Sequence, residues 1–153
     1  NDRIAILGGS SVYLPEFVFS LLTHNIHVRE IALLAAVKRS GFPTEIHHTT
    51  DLEQAVTGAR YVLNHVRVGG MQARLRDETL PPQEGMVGDE SLGPGGLANA
   101  LRTLPVVLDH AARVEAVNPD CTYINLTNPM GIVVDALSAH TKLKTIGVCD
   151  LPG

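Results

Sequence analysis

The chain is short of cysteine, of basic clusters and of long apolar runs, and each shortage closes off a class of protein. Only two of its 153 residues are cysteine, Cys121 and Cys149, so the disulfide framework of a small secreted scaffold is not available. Each falls in or at the end of an expected buried strand, which argues against their pairing. The apolar stretches break off well before the roughly 18–20 residues that span a bilayer. The N-terminus runs straight into Arg3-Ile4-Ala5-Ile6-Leu7 without a signal-peptide pattern. The expectation is a cytoplasmic protein with no membrane partner, in which the sequon Asn125-Leu126-Thr127 is not an acceptor for sugar. A net charge of −4 and the lack of a long basic block argue against nucleic acid, which is held through clustered Lys and Arg. No internal repeat or low-complexity tract is present.

What is there is an ordinary globular composition, 44% hydrophobic and 18% charged, in a chain long enough for one compact domain. Strand and helix patterns alternate. Strands are expected at 3–8, 29–34, 44–48, 60–66, 122–126 and 144–148. Helices are expected after the first strand (around Phe17 to Leu22), at 51–56 with Thr50 or Asp51 as cap, through Arg74 and Glu78, at 97–117 with a kink or restart at Pro105, and at 131–140. A long loop dense in Gly and Pro is expected from Leu80 to Gly96. Such alternation predicts an α/β fold, a Rossmann-like doubly wound and mostly parallel sheet in three layers, α/β/α.

Four constellations carry chemistry. Gly8-Gly9-Ser10-Ser11 lies between the first strand and a helix, where backbone can approach a pyrophosphate and the helix N-terminus meets its charge. Its spacing departs from G-x-G-x-x-G, and such turns also occur in α/β proteins that bind no nucleotide. The second strand is not followed by the Asp or Glu that would take ribose hydroxyls. About ten residues separate it from the third, too few for a crossover helix with its turns. Arg67-Val68-Gly69-Gly70 to Arg74, with Asp77-Glu78, offers forked donors for phosphate or sugar hydroxyls, or equally a glycine turn with solvated ion pairs. The loop holding Asp89 and Glu90 is a candidate lid. Asn99 and Arg102, one turn apart on the next helix, read by themselves as a solvated face. Asn125 and Asn128, three residues apart at a strand end, can both point into one cleft, and carboxamides both donate to and accept from sugar hydroxyls. An Asx turn before Pro129 explains the second as well. Cys149-Asp150 ends the last strand, where packing and a turn are the ordinary roles.

The order of these motifs resembles the family-4 glycoside hydrolases, the NAD-dependent 6-phospho-glucosidase group. The resemblance runs over nearly the whole chain, from Gly8-Gly9-Ser10-Ser11 through Arg67-Val68-Gly69-Gly70, Gly88-Asp89-Glu90, Gly93-Pro94-Gly95-Gly96 and Asn125-Leu126-Thr127-Asn128-Pro129 to Gly147-Val148-Cys149. That family is an exception to the two-carboxylate scheme of glycosidases, which accounts for the lack of a paired acid and base.

The resemblance implies NAD and a divalent metal, Mn most of all, with a phosphorylated sugar as substrate and a homo-oligomeric full-length form. Hydride would leave C3 of the sugar for NAD⁺, the C2 proton would go to a base, the C1 leaving group would depart, water would add and the hydride would return. Gly8, Gly9, Ser10, Ser11, Glu90 and Asn125 are then expected on the cofactor, Arg74 and Asn128 on the substrate, Cys149 on the metal, and Asp150 as leaving-group acid. Asp after the cysteine is similar to the 6-phospho-α-glucosidases, while the β-specific members often carry Asn. Departures are Asp89 where Gln is usual, Ser10 in place of a third glycine, and no ribose acid. The family's histidine metal ligand, tyrosine base and phosphate-gripping residues belong to a C-terminal substrate and metal domain absent here. Residues 1–153 are thus expected to be its NAD-binding domain, inactive alone. Two other classes stay open, a stand-alone nucleotide- or sugar-phosphate-binding module and a lactate/malate-dehydrogenase-type oxidoreductase. The first needs neither the thiol nor the paired asparagines, and the second calls for a downstream histidine and an arginine-rich substrate loop.

Overall fold

The computed structural model describes residues 2–8, 28–32, 45–47 and 49–149. The readings of Gly9, Ser10, Ser11 and Asp150, of the helix expected near residues 17–22 and of the short second crossover lie outside these. Six strands, β1 (Asp2–Leu7), β2 (Val28–Ala32), β3 (Glu45–His47), β4 (Tyr61–Asn64), β5 (Thr122–Asn125) and β6 (Lys144–Gly147), form one sheet in the order β3-β2-β1-β4-β5-β6. Every neighbouring pair is parallel. The order reverses between β1 and β4, which stay paired up to Leu7 and Asn64; this is the switch point at whose carboxyl edge a doubly wound sheet leaves a crevice. The expected doubly wound α/β fold is the observed one.

Helix α1 (Leu52–Val56) begins where Asp51 Oδ1 accepts from the backbone N–H of Glu53 and Gln54, at 3.0 and 3.2 Å, which satisfies two of the orphan donors of a helix start. Helix α3 (Gly93–Val117) lays Val107, Ala111 and Val114 on the sheet, the i, i+4, i+7 spacing of one helical face. With Leu7, Val56, Val62, Tyr123, Val133 and Leu137 they make the core. Helix α4 (Met130–His140) follows β5.

Three expectations are corrected. Helix α2 (Gly70–Gln83) continues through Pro81 and Pro82, whose missing amides take the helical donors from the Asp77 and Glu78 carbonyls but only in the last turn, where no further turn has to be built on them; the Gly- and Pro-rich loop shrinks to 84–92. Helix α3 starts at Gly93, ahead of the expected Leu97, with Pro94 in its first turn, where proline costs no amide that the helix would use; it is one helix through Pro105 and does not restart there. Strand β6 is the sheet edge and not a buried strand, with Ile146 and Val148 more than two-fifths exposed.

Candidate functional site

Two asparagines stand side by side where β4 and β5 end, Asn64 paired in register with Asn125 and both fully buried. Asn64 Nδ2 donates to Asn125 Oδ1 at 2.8 Å and to Thr127 Oγ1 at 3.3 Å, and Asn125 Nδ2 donates to the Thr127 carbonyl at 2.9 Å. Thr127 Oγ1 also accepts from the Val66 N–H and donates to the Val66 carbonyl, each at 3.1 Å. The carboxamide of Asn125 is spent beneath the surface. It does not share a cleft with Asn128, and that reading is corrected: Asn125 lies two residues from the core Tyr123, so both point to the same face of the strand.

Asn128 emerges from this floor and meets Glu90. Its Nδ2 donates to Glu90 Oε1 at 3.0 Å, while Arg67 Nη1 donates to Glu90 Oε2 at 2.6 Å and Arg74 Nε stands 3.5 Å from the same oxygen. Arg74 also forms the expected solvent-facing pair with Glu78, at 2.8 Å. Burial alone would raise the Glu90 carboxyl, but the hydrogen bonds from Arg67 and Asn128 and the charges of both arginines outweigh it and hold the group below the usual carboxylate range. Arg74, Glu90 and Asn128, far apart in sequence, thus form one cluster above the carboxyl edge of the sheet.

Behind it lies a second layer that the sequence reading took for solvated surface. Asp77 and Asn99 are both buried. Arg102 forks onto the Asp77 carboxylate and donates from Nε to the Val68 carbonyl at 3.0 Å, fixing the turn from which α2 starts. The glycines of the Gly-Pro-Gly-Gly tract let the helices come this close. A Cβ on Gly95 would sit 2.3 Å from the carbonyl oxygens of both Asp77 and Asp89. The missed signal is the stripe Gly95, Asn99, Thr103, Val107 at steps of four, which continues the core face of α3.

At the other end of the crevice, Gly8 follows β1 at φ +86°, and a Cβ there would meet the His65 carbonyl at 2.2 Å. Beside it opens a cavity of about 170 Å³ whose apolar lining is Ile6, Leu7, Leu52 and Ala55 and whose polar lining includes Asp51, His110 and Arg113. An apolar floor with a few polar groups suits a flat heterocycle, so these residues fit the nucleotide end of a dinucleotide. His110 is half-buried, and burial lowers its pKa.

Both cysteines are free, as expected, Cys121 buried and Cys149 exposed at the end of β6. Among the described residues no three His, Cys, Asp or Glu side chains lie close enough to hold a metal ion. Cys149 offers one donor, and one thiolate is not a metal centre. No helix of the described residues is long and apolar enough to cross a membrane.

The sheet order and the polar crevice at its carboxyl edge define a doubly wound protein of the dinucleotide-binding type. Residues 30–153 match the model of the family 4 glycosyl hydrolases, and the chain belongs to that family. It is 36% identical over 170 residues to the probable 6-phospho-beta-glucosidase of Bacillus subtilis (strain 168), a match that spans 98% of this chain and 38% of that protein. The 6-phospho-beta glucosidase of Thermotoga maritima, solved with NAD and glucose-6-phosphate, superposes with a TM-score of 0.89 at 32% identity over 98% of this chain and 40% of its own. A 6-phospho-alpha-glucosidase from gut microorganisms, solved with NAD and Mn2+, gives 0.88 at 25% identity over 98% of this chain and 39% of its own. The chain spans about two-fifths of the length of the relatives it matches.

Proposed function

We propose that this chain is the cofactor-binding part of a NAD- and divalent-metal-dependent 6-phospho-glucosidase that cleaves its substrate by oxidation at C3, elimination across C1 and C2, addition of water, and return of the hydride to C3. The observation that carries the reading is the convergence of Arg74, Glu90 and Asn128 above the carboxyl edge of the sheet. Relatives of both anomeric specificities, solved with NAD, support it. When bound, NAD⁺ supplies a hydride acceptor and the metal polarises sugar oxygens.

The chain's own residues bind and orient. Gly8, with Gly9, Ser10 and Ser11, brings backbone amides to the pyrophosphate, and the cavity beside Gly8 takes the adenine end. Glu90, held anionic, accepts hydrogen bonds from hydroxyls of the nicotinamide ribose or the sugar. Arg74 presents donors to the substrate. Asn128 gives Nδ2 to Glu90 and keeps its carbonyl oxygen to accept from a sugar hydroxyl. Asn125 supports this layer from below and touches no ligand. Asp150 is assigned as leaving-group acid and Cys149 as one metal ligand; the remaining ligands come from residues outside those described, so no step of this chain runs through the metal.

Calorimetry tests the reading. The chain should bind NAD⁺, weakly if the ribose acid is truly missing, and should not turn over a nitrophenyl 6-phosphoglucoside. No heat of binding at millimolar NAD⁺, with the fold intact by circular dichroism, removes the proposal. In the longer protein, product formed in deuterated water without label at C2 removes the elimination route.

A further inference from the structure

Asn99 uses its whole side-chain amide. Its Nδ2 donates to the backbone carbonyl of Glu90 at 3.0 Å and to that of Asn128 at 3.1 Å. Its Oδ1 accepts from Thr103 Oγ1 at 2.9 Å and from Arg102 Nη2 at 3.3 Å. The residue is 7% exposed and sits on α3, one turn beyond the close contact at Gly95. One planar group therefore ties two segments, thirty-eight residues apart, to a rigid helix through its donors, while Arg102 and Thr103 occupy only its acceptor side.

The two segments it joins carry Glu90 and Asn128, whose side chains meet at 3.0 Å. A hydrogen bond of that length tolerates little drift between its backbones, and nothing in the two sequences requires them to stay together, since one is a loop after α2 and the other a turn after β5. We propose that Asn99 is the positioning residue that sets the spacing of Glu90 and Asn128. With its two donors it holds both backbones at one distance, so the cluster is assembled before any ligand arrives. This rests on the reading of Glu90 and Asn128 as site residues, but its test needs no ligand.

The test is a carbon-13 NMR titration of the Glu90 carboxyl in the 153-residue chain, assigned by its loss in Glu90→Gln, with the Asn128 side-chain amide followed alongside. The charged groups that face Glu90 are Arg67 and Arg74, the second shared with Glu78, and none of them is altered. In Asn99→Ala the two carbonyls lose their common donor and the segments separate. The Glu90 midpoint should then rise towards that of an ordinary glutamate, and the Asn128 amide should cease to shift as Glu90 ionises. Thr103→Val, which leaves both Nδ2 donations in place, should change neither. If Asn99→Ala does not fold, Asn99→Ser, whose hydroxyl cannot bridge both carbonyls, should give the same upward shift. An unchanged Glu90 midpoint in a folded Asn99 variant, with only a lower melting temperature, overturns the proposal, as does an equal shift in Thr103→Val. Failure of the functional reading shows separately, as absence of NAD⁺ binding in a wild-type chain whose Glu90 and Asn128 still respond together.

Discussion

Arg102 and Asp77 meet as a fork and a carboxylate, Nη2 at 2.5 Å from Oδ2 and Nη1 at 3.3 Å from Oδ1. The Asp77 side chain is 5% exposed and that of Arg102 27%. That asymmetry decides which member matters more: Asp77 has exchanged its water for this one partner, while Arg102 keeps some.

Removing either member leaves the other short of a partner. Asp77→Ala should destabilise the chain by about 3 kcal/mol, the low end for breaking a buried pair because Arg102 retains solvent. Urea unfolding measures it. A loss below about 1 kcal/mol would put the fork with ordinary surface pairs.

The depressed Glu90 carboxyl fixes a pH dependence. Its folded pKa lies below the ordinary value of 4.5, so the ionised carboxylate stabilises the fold above that value, and the stabilisation drains away as pH falls through the folded pKa. The stability gap between wild type and Glu90→Gln should be constant near neutrality and shrink on acidification below about pH 4.5. Denaturant midpoints across that window test it; a gap that widens with acid contradicts the electrostatics described here.

Two glycines should respond in opposite directions to the same change. Gly131, in the first turn of α4, has no heavy atom within 4 Å of a built Cβ, and Gly131→Ala should stabilise by about 0.5–1 kcal/mol through the lost freedom of the unfolded chain. Gly95→Ala forces a methyl between two carbonyl oxygens and should destabilise by about 1–3 kcal/mol, as overpacking does. Thermal unfolding of the two variants gives both signs at once.

Thiol labelling should separate the cysteines. Cys149 is exposed, whereas Cys121 is buried and its thiol is pushed up by burial, so a thiolate-seeking reagent should modify one cysteine per native chain and the second only on unfolding. Peptide mapping that finds Cys121 labelled in the folded state would place β5 nearer the surface than described.

The sheet was legible in the sequence because apolar runs such as Ile4-Ala5-Ile6-Leu7 and Tyr61-Val62-Leu63 are buried strands with little to confuse them. The cap of α1 was legible only as Thr50 or Asp51, since both side chains can accept from a first-turn amide, and the cap is Asp51. The limits of α2 and α3 were not legible, because Pro81-Pro82 and Pro94 read as breakers, whereas Pro94 in a first turn loses no helical bond and Pro81-Pro82 fall where α2 is already ending. The cluster of Arg74, Glu90 and Asn128 came from the order of motifs, and no single one would have assembled it. The burial of Asn99 and Asp77 was not legible, because beside Arg102 and Glu78 each reads as part of a solvated face, and only the buried stripe Gly95, Asn99, Thr103, Val107 marks the first. Asn125 was misplaced because a carboxamide at a strand end was assumed to face outward, although Tyr123 had already fixed which face was buried.

The paired asparagines at the ends of β4 and β5 bear on how the strands find one another. Their side chains can bond only when Asn64 lies opposite Asn125. A slip of one residue would turn one of them to the other face of the sheet and leave two buried carboxamides without each other, at about 1–3 kcal/mol apiece. Apolar strands such as these would tolerate several alignments on hydrophobicity alone. The two amides discriminate among those alignments, so the polar pair acts as a proofreading contact during assembly, and a chain with leucine at both positions should fold with less fidelity even where it folds as tightly.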